Sequence, residues 1–165
     1  MSTMLYTPAQ LVETVRRWLG TAFHHQGRIC ATSTHRGGCD CIGLVMGVAA
    51  ELQICSRQST HPFLSHVDRC DYPRLPRSDV LETALDTHFY SVERQALQAG
   101  DVVLFAIDQN GRHVGILTPG QHQPFGLIHA YAQARKVVEH DFDNHWQDCL
   151  IGAYRFHGII DNKDK

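Results

Sequence analysis

Apolar positions recur with one period in the first half of the chain and another in the second. Leu11, Val15, Trp18 and Leu19 keep the three- and four-residue spacing of one helical face. Thr7-Pro8-Ala9-Gln10 supplies the start of that helix: Thr7 caps, Pro8 fits the first helical position, and Gln10 completes a capping box. Gly20 is its expected stop. Gly20 to Gly38 reads as a loop rich in Gly, His, Ser and Thr. A denser apolar run then follows Gly37-Gly38-Cys39-Asp40, with Ile42, Leu44, Val45, Met46, Val48, Ala49, Ala50 and Leu52. It predicts a second helix from Cys41 to about Gln53, with Asp40 as its N-cap. Ser56 to Arg77 is irregular and contains Pro62, Pro73 and Pro76. That is long for a structureless connection. Asp79 is the expected cap of a short helix, Val80 to about Thr87, and Phe89 to Arg94 reads as a strand.

From Gly100 the period drops to that of strands. Asp101 to Ile107 is a buried strand after a Gly-Asp turn, where Asp101 reads as a turn residue. Asp108-Gln109-Asn110-Gly111 is a hairpin signal, because Asn-Gly tolerates positive φ. The further strands are His113 to Thr118, Leu127 to Tyr131, Lys136 to His140 and Leu150 to Phe156, with a helical turn at Asp143 to Asp148 and a frayed tail from Asp161. Helices first and an antiparallel meander afterwards predict one α+β domain over residues 1–165, with its core at about 8–157 and an irregular insertion at about 56–77.

Composition narrows the function classes. A chain of 165 residues with 43% apolar and 19% charged content is long enough for a single sizeable core. A net charge of -2 gives no electrostatic reason to expect nucleic acid as a partner. No apolar run is long enough for a bilayer, so no membrane partner is expected. Met1 to Trp18 lacks the basic-then-apolar order of a signal peptide. The expectation is therefore synthesis in a reducing cytoplasm and mostly free thiols at Cys30, Cys39, Cys41, Cys55, Cys70 and Cys149.

The candidate chemistry starts at Cys41, in the first turn of the second helix. Unpaired backbone N–H groups and the helix dipole point there, so its thiol is expected to ionise more easily than a free one. A cysteine nucleophile needs a base, and the base an orienting partner. His113 and His129 lie on neighbouring predicted strands, which can hold them on one face. A helix tip packed on that face brings Cys41 to His113, with the Cys41 N–H as one oxyanion donor. Taken singly, a cysteine before an apolar helix is usually a small buried hydrophobe, and a histidine opening a strand is usually structural. The combination at element boundaries points to catalysis.

These residues also carry a resemblance. Gly38-Cys39-Asp40-Cys41-Ile42-Gly43-Leu44-Val45, Gly100-Asp101-Val102-Val103-Leu104-Phe105, Arg112-His113-Val114-Gly115-Ile116 and Ile128-His129-Ala130 resemble, in order, the four signature blocks of the NlpC/p60 cell-wall peptidases. The resemblance implies a papain-like fold with N-terminal helices on a central antiparallel sheet. It implies a Cys41 nucleophile, a His113 base, His129 as third polar residue, and no cofactor. The implied substrate is the peptidoglycan stem peptide, cut between D-glutamate and the diamino acid. Gly20-Thr21-Ala22-Phe23-His24-His25-Gln26 and the Gly-Cys-Asp-Cys block are most similar to the phage and gene-transfer-agent branch. That implies tail-assembly proteins as partners and delivery to the wall by a phage-like or secretion machine. Phe23 stands where family members usually have Tyr, which removes a hydroxyl; His25 or Gln26 are the substitutes. Phe23, His25, Asp40 and Arg112 are the candidates for the substrate or oxyanion site. Ile42 replaces a common Ser, and residues 119–126 absorb a longer gap between the histidines.

Three rival readings remain. Cys30, His35, Cys39 and Cys41 are potential zinc ligands, although Cys-x-Cys departs from the usual zinc spacing. A papain-like acyltransferase would use the same Cys41 and His113. An inactive binding module would keep only the fold. Cys39 is expected to pack or to form a reversible disulfide with Cys30.

Overall fold

The computed structural model describes residues 5–58, 71–73 and 78–160. Most of the 56–77 insertion, Cys70 and the tail from Asp161 therefore lie outside the described residues, as does the side chain of Asp79. Helix α1 spans Pro8–Arg16. Its capping box is formed: Gln10 N–H donates to Thr7 Oγ1 at 3.2 Å, and Thr7 N–H donates to Gln10 Oε1 at 2.8 Å. Leu11, Val15 and Trp18 are buried, but Leu19 is 40% exposed. The helix ends at Arg16, and the turn leading to Gly20 at φ 80° swings Leu19 outward.

Within the expected loop, β1 (Arg28–Ile29) and β2 (Gly38–Cys39) pair antiparallel. Helix α2 spans Cys41–Glu51, and Gln53 at φ 52° turns the chain away just after it. Helix α3 spans Ser78–His88. The strand expected over Phe89 to Arg94 shrinks to β3, Tyr90–Ser91, followed by a 3-10 turn at Arg94–Ala96. Phe89 N–H still donates to Leu85 carbonyl, so that residue belongs to the end of α3.

The remaining elements are β4 (Val102–Ala106), β5 (Arg112–Pro119), β6 (Phe125–Tyr131), β7 (Lys136–Asp141), α4 (Asn144–Cys149) and β8 (Leu150–Arg155). They build an antiparallel sheet of order β3-β8-β4-β5-β6-β7. The meander expected from the sequence holds from β4 to β7. The last strand instead returns beside β4 and covers an edge that a plain meander leaves open. The Asp101–Arg155 pair accompanies that return, with Arg155 Nε at 2.8 Å from Asp101 Oδ1. Asp101 also accepts the Gln98 N–H, so it is both turn former and buried ion partner.

The β4–β5 turn differs in kind from the expectation. Neither Asn110 nor Gly111 takes a positive φ. Asp108 Oδ1 accepts the N–H groups of Asn110 and Gly111, which folds the turn through a side chain.

Each sheet face has its own apolar cluster. One joins α1, α2 and α3 to Val102, Leu104, Val114, Ile116 and Ile128. The other joins Val103, Phe105, Leu117 and Leu127 to Phe142 and Trp146. The β5–β6 ladder runs from Pro119↔Phe125 to Ile116↔Ile128 and ends there, so the two strands part before His113.

Candidate active site

Asp40 fixes the tip of α2. Its backbone is extended, and its Oδ1 accepts the Gly43 N–H at 2.8 Å. Oδ2 accepts the Gln26 N–H at 2.7 Å, which ties the preceding loop to the same carboxylate. The Tyr72 hydroxyl donates to both oxygens, at 3.0 and 2.9 Å, and Arg28 Nη1 stands 3.5 Å from Oδ1. The Arg28 guanidinium lies over the Tyr72 ring, and the His25 ring meets it edge-on at 5.7 Å. Burial first, and then the Asp40 charge, raise the Tyr72 phenol above its ordinary range. Sequence reasoning placed Asp40 at the cap but missed Tyr72, which comes from the unassigned insertion.

Cys41 is 5% exposed, directly after this cap. The backbone N–H groups of Val114, Ile42 and Cys41 face its sulfur and favour the thiolate. Burial, the largest effect, and the neighbouring Asp40 charge outweigh them and push the thiol up to about 12. The expectation of an easily ionised thiol is thus reversed. Dipole and amide donors are local and legible, whereas desolvation is created by the tertiary fold.

Val114 follows His113 on β5, so its amide brings the strand near the sulfur one residue from the imidazole. The approach is not the one expected. Alternation along β5 turns Val114 toward the α2 face and His113 toward the opposite face. There His113 stacks on Phe105 at 6.1 Å and packs near Trp146 at 5.8 Å. Cys41 therefore approaches β5 from the α2 side, while the histidines lie on the opposite sheet face.

His113 Nε2 lies 2.7 Å from His129 Nδ1, and His129 Nε2 lies 2.9 Å from His140 Nε2. Tyr131 stacks on the His129 ring at 5.0 Å, and Trp146 meets it edge-on at 4.8 Å. His129 is fully buried and His113 is 8% exposed. Burial holds His113 down at about 4. His129 is pushed lower still, by burial first and then by His113 and His140. Burial therefore favours the uncharged form of the Cys41 thiol and of the His113 and His129 rings. Among the described residues, His113 Nδ1 has no hydrogen-bond partner. His140, Trp146 and Tyr131 were not singled out from the sequence; the aromatic residues near Ile128-His129-Ala130 were the available signal.

The other candidates divide. His25 sits with Asp40, its Nδ1 3.7 Å from Oδ2 and, among the described residues, buried without a hydrogen-bond partner. Phe23 bridges in parallel to Cys39 and packs against the α2-side cluster. Arg112 is drawn elsewhere: its Nε donates to Glu82 Oε1 on α3 at 2.6 Å, and its Nη1 to the carbonyls of Asp108 and Gly111. Cys39 is buried, and both it and Cys30 are free thiols. His35 Nδ1 accepts the Gly37 N–H at 2.8 Å. Among the described residues, no group of three or more His, Cys, Asp or Glu side chains is arranged to hold a metal ion, and no helix is long and apolar enough to cross a membrane.

Comparison with known proteins agrees with this architecture. Residues 20–155 match the sequence model of the NlpC/P60 family. The fold is similar to an NlpC/P60 family protein from Bacillus cereus, at TM-score 0.61 and 20% identity over 92% of this chain and 41% of that one. NlpC1 from Trichomonas vaginalis gives 0.55 and 19% over 90% and 43% of the two chains. An N-acetylmuramoyl-L-alanine amidase from Bacteroides uniformis gives 0.51 and 12% over 88% and 98%. The chain thus spans less than half the length of the first two proteins. No curated protein matches it in sequence.

Proposed function

The chain belongs to the NlpC/P60 family, and from that premise we propose that it is a cysteine peptidase that hydrolyses peptidoglycan stem peptides. The observation that carries the reading is the approach of Cys41 to β5 near the Val114 amide, one residue from an imidazole that His129 holds at 2.7 Å. The amidase from Bacteroides uniformis supports a cell-wall substrate by its name alone.

In this reading His113 Nδ1 takes the Cys41 proton as the sulfur attacks the peptide carbonyl. Transfer within a neutral pair needs no preformed ion pair, and catalytic hydrogen bonds often tighten only once substrate is bound. The N–H groups of Cys41 and Ile42 stabilise the developing oxyanion. The protonated His113 then donates to the leaving amine, and water, activated by the same ring, hydrolyses the thioester. His129 orients His113 throughout. Asp40 positions the helix tip, and His25, beside it, is the candidate for substrate contact in place of the hydroxyl that Phe23 lacks. The bond between D-glutamate and the diamino acid is the proposed cleavage point. Delivery to the wall by a phage-like assembly is the proposed route.

Digestion of purified peptidoglycan, followed by mass spectrometry of the fragments, tests this. Wild type should release stem-peptide fragments and Cys41→Ala should release none. His129→Ala should retain more activity than His113→Ala, because an orienter is less essential than the base. Equal digestion by wild type and Cys41→Ala would overturn the mechanism.

A further inference from the structure

We propose that His140 is a positioning residue that determines which nitrogen of His113 is free of a proton. The inference rests on the reading of His113 as the base and extends it to a residue on β7.

The chain of hydrogen bonds can be followed from its far end. His140 Nδ1 lies 2.8 Å from the main-chain carbonyl oxygen of Asp141. A carbonyl only accepts, so Nδ1 of His140 carries the hydrogen. A neutral imidazole has one N–H, which leaves Nε2 of His140 as an acceptor. That nitrogen faces His129 Nε2 at 2.9 Å, so His129 must donate from Nε2. Its Nδ1 is then the acceptor, and it faces His113 Nε2 at 2.7 Å. His113 therefore donates from Nε2, and its Nδ1 is left as a lone pair, ready to receive a proton. One backbone carbonyl on β7 thus sets the tautomers of three rings in series.

The surroundings hold the series in place. Trp146 lies against all three rings, at 5.8 Å from His113, 4.8 Å from His129 and 5.9 Å from His140. Burial disfavours a charge on either inner ring. Among the described residues no carboxylate is hydrogen-bonded to His129, and the Nδ1-protonated His140 supplies the acceptor instead. Reversing the series would put a hydrogen on His113 Nδ1 and block it as a base. A wrong tautomer of this kind is among the more costly faults in a histidine base.

The test is long-range proton–nitrogen correlation NMR on protein labelled with nitrogen-15 at histidine. Assignments come from single His→Gln variants. His113 and His129 should be protonated on Nε2, and His140 on Nδ1. A hydrogen on His113 Nδ1 would overturn the proposal, whatever the enzyme acts on. This readout needs no substrate, so it is independent of whether the peptidase reading holds. In the second arm, His140→Phe keeps a ring but removes the acceptor, and His140→Gln restores an acceptor through Oε1. kcat on stem peptide should fall at least about tenfold in His140→Phe with KM little changed, and recover to within a few-fold in His140→Gln. Unchanged His113 and His129 tautomers in folded His140→Phe would also refute it.

Discussion

Asp40→Asn separates two roles that a single carboxylate performs. The side chain is 2% exposed and receives the Gly43 and Gln26 N–H groups, the Tyr72 hydroxyl and the Arg28 guanidinium. Asparagine keeps one carbonyl oxygen, so the bond to Gly43 and the cap of α2 survive. Its amide group then faces the Gln26 N–H, donor against donor, and the charge facing Arg28 at 3.5 Å is removed. An unsatisfied buried donor costs about 1–3 kcal/mol, and hydrogen bonds to charged groups contribute about 1.5–3 kcal/mol. A net loss of about 2–4 kcal/mol follows, read as a lower urea midpoint with an unchanged slope. The thiol should respond in the opposite sense. Asp40 is the second largest influence raising Cys41, after burial. At an effective dielectric of about 20, neighbouring charges couple strongly enough to move a pKa by about one pH unit. The thiol should thus ionise about one unit lower, and alkylation of Cys41 at pH 8 should be about tenfold faster, followed by peptide mapping. Wild-type stability would show that the carboxylate does not hold this corner together. A folded variant with unchanged Cys41 reactivity would show that its charge does not govern the thiol.

Three further outcomes are expected. Burial holds His113 near 4 against an ordinary 6.5, so the folded ring stays neutral while the unfolded chain takes up a proton. Its contribution is complete above about pH 6.5 and declines as pH falls through about 4, amounting to about 3 kcal/mol; urea titrations at pH 7 and 4.5 should show that loss in wild type and a smaller one in His113→Gln. Gly47→Ala drives a methyl into Trp18 Cη2 and Cζ2, and should lower stability by about 1–3 kcal/mol, measured as a fall in Tm. Arg155→Ala removes the guanidinium that stands 2.8 Å from the fully buried Asp101 carboxylate, and should cost about 3–5 kcal/mol in equilibrium unfolding.

What could be read from the sequence was what the chain decides locally. Thr7 and Gln10 meet across three residues, and Asp40 reaches Gly43 across three. The strand edges of β4 to β7 followed from alternation. The partners that define the site lie farther along the chain: Tyr72 reaches Asp40 across 32 residues, Arg155 reaches Asp101 across 54, and His140 reaches His129 across 11. Nothing in Lys136-Val137-Val138-Glu139-His140-Asp141 distinguishes its histidine from a solvated one. The facing of His113 away from α2 follows from alternation along β5 only once Val114 is known to pack on the α2 side, which the tertiary fold decides. The hairpin at Asp108 shows the converse: Asn-Gly located the turn correctly, while the aspartate before it decided its geometry.

The parting of β5 from β6 carries a consequence for how this chain can vary. The group that greets the Cys41 sulfur there belongs to the polypeptide itself at position 114. Every amino acid but proline brings that same N–H. The side chain at 114 is therefore at liberty to be retailored to the apolar layer beneath it, and only a ring closed onto its own nitrogen would silence the contact.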